Sequence, residues 1–319
     1  REFECLTMKR ARETCDAADG PAGAYNFLQQ VPLLKAQLLE NLMQATQIDV
    51  GEQALMLGMR KYRSHVVVQQ AGCMALRELA ADKDWVDVIM GLGIRDVVEA
   101  MTAHLGDSLM QKIGSKVIWL FAKGDGGNVE GIVDEGGINL VLTSMTAHVG
   151  TCRVQMNGCG ILSVLAGDQD VAVAIVAAGG IGRVLTAMTA HAQDIGVQHH
   201  GCKALSGLLA VTDDETMTKI EAARVIRVVL SAMKEHEGNT RGTPSMKVQQ
   251  YGCMVLFNIG ISDLTLLKRI KDEEGVGVVE AAIKVMDSSR TRFAKSLGQI
   301  LLGELGSKAL NPKTPETVV

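Results

Sequence analysis

Val248-Gln249-Gln250-Tyr251-Gly252-Cys253-Met254-Val255-Leu256 is one of five copies of a single pattern. The others run Val68-Gln69-Gln70-Ala71-Gly72-Cys73-Met74-Ala75-Leu76, Met110 to Ile118, Val154 to Leu162, and Val197 to Leu205. Each copy places a Gln three residues before a Gly. The anchor glycines Gly72, Gly114, Gly158, Gly201 and Gly252 lie 42, 44, 43 and 51 residues apart. A near-constant period of roughly 20–50 residues marks units that cannot bury their apolar face alone and stack to do so.

Composition agrees with stacked helices. Hydrophobic residues make up 47% of the 319-residue chain and aromatics only 3%, with 34 Gly and 5 Pro, which suits closely packed helices better than a β-rich core. Sixteen Met supply adaptable filling. The net charge of −4 gives no global basic field for nucleic acid. No apolar run reaches the roughly 18 residues a membrane span needs. The chain opens on Arg1 rather than Met, which reads as a segment or a processed product.

Four of the seven Cys (Cys73, Cys159, Cys202 and Cys253) directly follow an anchor Gly. Packed helices sit about 8–10 Å apart, whereas a disulfide needs Cα atoms within about 4.4–6.8 Å. Members of this ladder are therefore read as unpaired buried hydrophobes of a reducing compartment, which places the chain inside the cell, in the cytoplasm.

Along the chain, residues 1–24 carry no sustained period and form an N-terminal extension. From Tyr25, Leu28, Val31, Leu34, Leu38 and Leu42 step by three and four along one helical stripe. Repeats are expected at about 25–82, 83–124, 125–167, 168–211, 212–262 and 263–306, with 307–319 as a tail. Each has a short first helix, a turn, a second helix and a third helix carrying the anchor. The turns are assigned to Gly91-Leu92-Gly93, Gly136-Gly137, Gly179-Gly180, the glycine-free Ala222-Ala223 and Gly275-Val276-Gly277. Asp125, Asp168, Asp213 and Asp263 sit where a capping side chain starts a helix. The long interval before Gly252 implies an exposed loop at about Glu235–Ser245. The last repeat lacks the Gln but keeps Gly298, Leu302 and Leu305 at the matching spacing.

At about 100° per residue, the anchor Gly and the positions four and seven or eight beyond it share one buried arc of the third helix. The opposite arc holds the positions two before, two after and six after the anchor. Those positions line a surface along the stack: Gln70, Met74 and Glu78; Lys112, Lys116 and Leu120; Met156, Gly160 and Val164; His199, Lys203 and Gly207; Gln250, Met254 and Asn258. Lysines flank an uncharged centre, and Gly160 and Gly207 would leave that centre shallow. The Gln three before the anchor lies nearer the buried arc and is assigned to loop backbone groups rather than to a ligand.

Ile132-Val133-Asp134-Glu135-Gly136-Gly137-Ile138 followed by Val154-Gln155, and Ile175-Val176-Ala177-Ala178-Gly179-Gly180-Ile181 followed by Val197-Gln198, resemble the armadillo repeat. The resemblance covers roughly residues 25–306. It implies an all-α, right-handed α-solenoid of about six three-helix repeats whose third helices line a concave groove for an extended peptide or a partner helix. It implies no catalysis. Importin-like members hold nuclear-localisation signals with Trp two after and Asn six after the anchor. Here the first position is Met74, Lys116, Gly160, Lys203 and Met254, and the second is Glu78, Leu120, Val164, Gly207 and Asn258. Only Asn258 matches, which counts against import-signal binding.

No other constellation carries chemistry. Met101-Thr102-Ala103-His104 recurs as Met145 to His148 and Met188 to His191, with His236 in the matching place. These His are read as caps of the second helix, favoured by its terminal partial charge; a spacing of roughly 10 Å is too wide for a shared metal. His199, His200 and Cys202 lack the four ligands zinc takes. Gly124-Asp125-Gly126-Gly127 and Gly179-Gly180-Ile181-Gly182 do not follow strands, so they are punctuation rather than phosphate loops. No catalytic, metal or cofactor site is expected. The function read from the sequence is a non-enzymatic scaffold whose groove takes an acidic-hydrophobic segment. A permanent subunit of a cytoskeletal or ciliary type of assembly is the alternative.

Overall fold

The computed structural model describes residues 29–32, 54–81, 86–124, 127–211, 219–237, 244–260, 263–286 and 292–306. Among them every regular element is an α-helix, as the three-to-four spacing of apolar residues demands. In chain order these are α1 (Ala54–Lys61), α2 (Val66–Leu79), α3 (Val86–Ala103), α4 (Ser108–Ala122), α5 (Gly127–Asp134), α6 (Gly137–Ala147), α7 (Cys152–Leu165), α8 (Gln169–Ala177), α9 (Gly180–Ala190), α10 (Ile195–Leu208), α11 (Lys219–Glu235), α12 (Pro244–Gly260), α13 (Leu264–Asp272), α14 (Gly275–Val285) and α15 (Arg292–Glu304). The chain forms two compact bodies, Arg1–Ile161 and Leu162–Val319. In each, helices pack on their neighbours in sequence, the arrangement of an α-solenoid.

The short first helix is joined to the second through two glycines that serve different needs. Gly136 and Gly179 take φ of 77° and 80°, the left-handed region that a Cβ disfavours. Gly137 and Gly180 need space instead. A Cβ there would meet the main-chain oxygen of Ile132 at 2.6 Å or of Ile175 at 2.8 Å. Between α13 and α14 the left-handed place falls on Glu274 (φ 62°) and the close approach on Gly275. The expected turn Gly275-Val276-Gly277 is thus displaced by one residue, and Gly277 lies inside α14.

Two other expected turns are absent. Gly91-Leu92-Gly93 lies within the continuous helix α3, where a Cβ on Gly93 would meet Leu76 at 3.3 Å and Met56 at 3.5 Å. Here glycine provides close approach rather than a break. Ala222-Ala223 lies within α11, as two good helix formers should. Asp168 and Asp263 do cap α8 and α13, accepting from Val171 N (3.0 Å) and Thr265 N (2.6 Å). Asp125, Asp213, residues 1–24 and 307–319, and residues 238–243 of the expected loop between α11 and α12 lie outside the described residues.

The anchor pattern is a lock between the second and third helices. A Cβ on Gly72, Gly114, Gly158, Gly201 or Gly252 would fall 2.4–2.5 Å from an atom of Met59, Met101, Met145, Met188 or Met233 respectively. Each of these Met is buried. The main-chain carbonyl of the same Met is an acceptor in the lock. Gln69 Nε2 donates to Met59 O and Tyr62 O; Gln111 to Met101 O and His104 O; Gln155 to Met145 O and His148 O; Gln198 to Met188 O and His191 O; and Gln249 to Met233 O and His236 O. One amide therefore satisfies two carbonyls that the end of a helix leaves open. In the last copy Ile283 replaces Met and sits 3.1 Å from a Cβ on Gly298, so the fit is looser where the Gln is missing.

The periodic His do more than cap a helix end. His148 and His191 are the C-cap residues that follow α6 and α9, as expected. In addition His104 Nε2 lies 2.8 Å from Arg63 O, His148 Nε2 2.6 Å from Leu105 O, and His236 Nε2 2.9 Å from Ala192 O. A carbonyl only accepts, so Nε2 carries the proton in all three. Each ring ties its helix end to the equivalent turn some forty residues earlier.

Candidate binding face of the third helices

The outward arc of the third helices carries the exposed face, because the inward arc is filled by the locks. Gln70, Glu78, Lys112, Lys116, Leu120, Met156, Val164, Lys203, Gly207, Gln250, Met254 and Asn258 are exposed or half-buried, and Met74 is 39% exposed. Two expected members are covered. Gly160 is buried under the indole of Trp119, whose Cε2 would be 2.7 Å from a Cβ there. His199 is only 9% exposed and stacks on Tyr251, with ring centroids 6.0 Å apart. Gly207 faces Ala166, whose Cβ and O would both be 3.0 Å from an added Cβ. The shallow centre expected from the two glycines is therefore occupied by the protein itself.

Some outward polar groups are already engaged. Gln70 Nε2 donates to Asp107 Oδ1 (2.9 Å), and Asp107 also caps α4 by accepting from Met110 N (2.6 Å). Asn258 Nδ2 reaches Ser206 O at 3.4 Å, a link between α12 and α10. Asn157, one residue before an anchor, donates to Ser115 Oγ (3.0 Å) and Lys112 O (3.2 Å) and joins α7 to α4.

Five residues before the anchor lies a further outward position, about one and a half turns back along the helix, which the wheel reading left out. It holds Val67, Leu109, Arg153, Gly196, Lys247 and Phe293. The large hydrophobic side chains exposed on the described residues are Val67, Met74, Leu109, Val149, Val173, Leu264, Phe293 and Ile300. Five of these eight occupy either this position or the one two after the anchor, with Phe293 at 67% and Ile300 at 52% exposure. An apolar residue at both places of one helix, as in α2 and α15, would have revealed the pairing in the sequence.

Cys73, Cys159, Cys202 and Cys253 form no disulfide and are buried. Burial pushes the Cys159 and Cys253 thiols up to about 12, and Cys73 higher still through burial and the nearby Asp96 carboxylate. Among the described residues no group of three His, Cys, Asp or Glu side chains could hold a metal ion, and no single helix is long and apolar enough to cross a membrane.

Known structures match this architecture. An engineered protein solved as a structural-genomics target superposes with a TM-score of 0.58 at 22% identity, covering 82% of this chain and 97% of its own. A second engineered protein gives 0.58 at 19%, covering 79% and 98%. A designed armadillo repeat protein gives 0.52 at 14%, covering 86% and 99%. No family model and no curated protein sequence matches the chain. Together with the helices these likenesses define an all-α solenoid of the helical-repeat kind.

Proposed function

We propose that the chain is an armadillo-type repeat protein that acts as a non-enzymatic protein-binding scaffold, with repeats over about 25–306 at the bounds given above. The likeness to a designed armadillo repeat protein supports the repeat type. One observation carries the function: exposed large hydrophobic side chains concentrate on two outward positions of the third helices. Scattered surface apolar residues need no explanation, but a patterned set marks an interaction surface. Val67, Met74 and Leu109 in the N-terminal body, and Phe293 and Ile300 in the C-terminal body, accept apolar side chains of a partner segment, helical or extended. Lys112, Lys116, Lys203 and Lys247 at outward positions of the third helices favour a segment that also bears acids over a basic import signal. Buried free thiols suit an intracellular, reducing setting.

The test is capture of partners from cell lysate by the wild type, by Met74→Glu with Leu109→Glu, and by Phe293→Glu with Ile300→Glu. Helical circular dichroism should be unchanged in both variants, since the altered side chains are exposed, and capture should fall. Undiminished capture by both variants would place the binding surface elsewhere.

A further inference from the structure

Helix α15 carries its charges at the ends its own dipole disfavours. Arg292 and Lys295 stand in its first turn and Glu304 at its C-terminal end, with no acid in the first turn and no base in the last. A helix N-terminus is partly positive and its C-terminus partly negative, so the favourable placement is the reverse. By contrast α2, with Arg77 in its last turn, has the favourable sense. Between the charged ends of α15 runs an exposed apolar stripe. Phe293 and Ile300 lie seven residues apart, which puts both on one side of the helix, and both are exposed. Ser296 and Gly303 fall beside them and are exposed as well.

Gly303 has no packing task among the described residues. A Cβ there would meet nothing within 4 Å, whereas one on Gly298, in the same helix, would meet Ile283 at 3.1 Å. Nor does Gly303 take a positive φ. Glycine inside a helix weakens it where no neighbour needs the space. Ser296 is also small, and its hydroxyl turns back to donate to Arg292 O at 3.0 Å. Two large side chains and two small residues therefore share one face, with opposite charges at its two ends. A second α15 laid antiparallel meets every part of that pattern. Phe293 seats over Gly303 of the second copy and Ile300 over its Ser296. The basic first turn of each copy comes to the acidic end of the other, and the opposed dipoles add to the attraction.

We propose that α15 is a self-pairing helix, through which two copies of the chain join antiparallel about a two-fold axis by Phe293, Ser296, Ile300 and Gly303, with Arg292 and Glu304 setting the direction. The proposal rests on the reading of the third-helix face as a binding surface and names its partner in the C-terminal body as a second copy. The two-fold axis makes every contact twice. The shared face is about 20 Å long and 10 Å wide, less than the roughly 800 Å² per partner of a standard stable interface. The pairing is therefore weak and set by concentration, with a dissociation constant of roughly 10–100 μM. The N-terminal stripe of Val67, Met74 and Leu109 stays open to another partner.

Sedimentation equilibrium of the full chain from about 1 to 300 μM reads the pairing and should show monomer and dimer in exchange. Phe293→Glu with Ile300→Glu should leave only monomer, with helical circular dichroism unchanged. Gly303→Leu fills space that is open in the single chain, so the fold should hold while the dimer weakens about tenfold or more. Arg292→Glu and Glu304→Arg should each weaken it about tenfold alone, because like charges then meet at both ends. An equimolar mixture of those two single variants should recover pairing, since each supplies the sign the other lacks; a parallel pair would not. Monomer throughout the range, a dimer indifferent to Gly303→Leu and to Phe293→Glu with Ile300→Glu, or single charge variants that pair as well as their mixture would overturn the self-pairing. A monomer whose capture of lysate proteins still falls with Phe293→Glu and Ile300→Glu would remove the self-pairing and keep the binding face for another partner. A dimer with capture undiminished by either variant pair would keep the self-pairing and remove the scaffold reading.

Discussion

The inward and outward arcs of the third helices obey different rules. On the inward side the same three residue types return five times: Met59, Met101, Met145, Met188 and Met233 opposite an anchor Gly, with a Gln closing two carbonyls. On the outward side the residue type changes along the stack, and only α2 and α12 share a Gln two before and a Met two after the anchor. The position two after the anchor is Met74, Lys116, Gly160, Lys203 and Met254 in turn, then Ile300. The inward residues face a neighbour that is always the same, so packing dictates them. The outward residues face whatever lies beyond the chain, so the stack leaves them free to differ.

This contrast breaks down first if the anchor glycines can be filled. Gly158→Val should cost about 3 kcal/mol, because a side chain there meets Met145 and overpacks a closed seam. Met145→Ala in the same chain should recover part of that loss, measured as a shift in urea midpoint. Additive losses would show that Met145 is not what the glycine makes room for. Gln155→Leu should cost about 2 kcal/mol, since it leaves Met145 O and His148 O without their donor. A neutral result would mean that water reaches those carbonyls.

At the turns the sign itself is tested. Gly136→Ala should lower stability by about 1 kcal/mol, whereas Glu274→Gly, at the equivalent left-handed place, should raise the melting temperature. A fall on Glu274→Gly would mean that the ion pair with Lys234, at 2.7 Å, outweighs the backbone strain. On the outward side, Met74→Ser and Phe293→Ser should change stability by no more than about 0.5 kcal/mol, because both side chains are exposed. A larger loss would make the stripe part of the packing and weaken its reading as a binding face.

The lock was legible in the sequence because it is periodic. Gln69 and its four equivalents sit on the buried arc, and their assignment to backbone groups needed only the wheel and the cost of an open carbonyl. The Met half of the lock was visible as a recurring Met-Thr-Ala-His but was not connected to the glycine, because the contact joins two helices and the wheel treats one. The same limit hid Trp119. It pairs with Gly160, and the clue was a lone third-helix Trp followed one repeat later by a lone Gly on the outward arc. Local rules misassigned Gly91-Leu92-Gly93, since a glycine required for approach to Leu76 looks the same in sequence as one that ends a helix.

The reach of these contacts along the chain bears on how such a protein changes length over generations. Gln111 closes onto a carbonyl 10 residues away, whereas His148 reaches one 43 residues away. The first kind of contact travels intact with any in-frame copy of its own segment. The second must be remade at each new junction, but a carbonyl asks only that a histidine arrive in register. Gain or loss of one whole repeat therefore leaves every glutamine lock in the remaining repeats complete, while the contacts between repeats, the histidine links and the Asn157 to Ser115 bond among them, must be remade at the new junction.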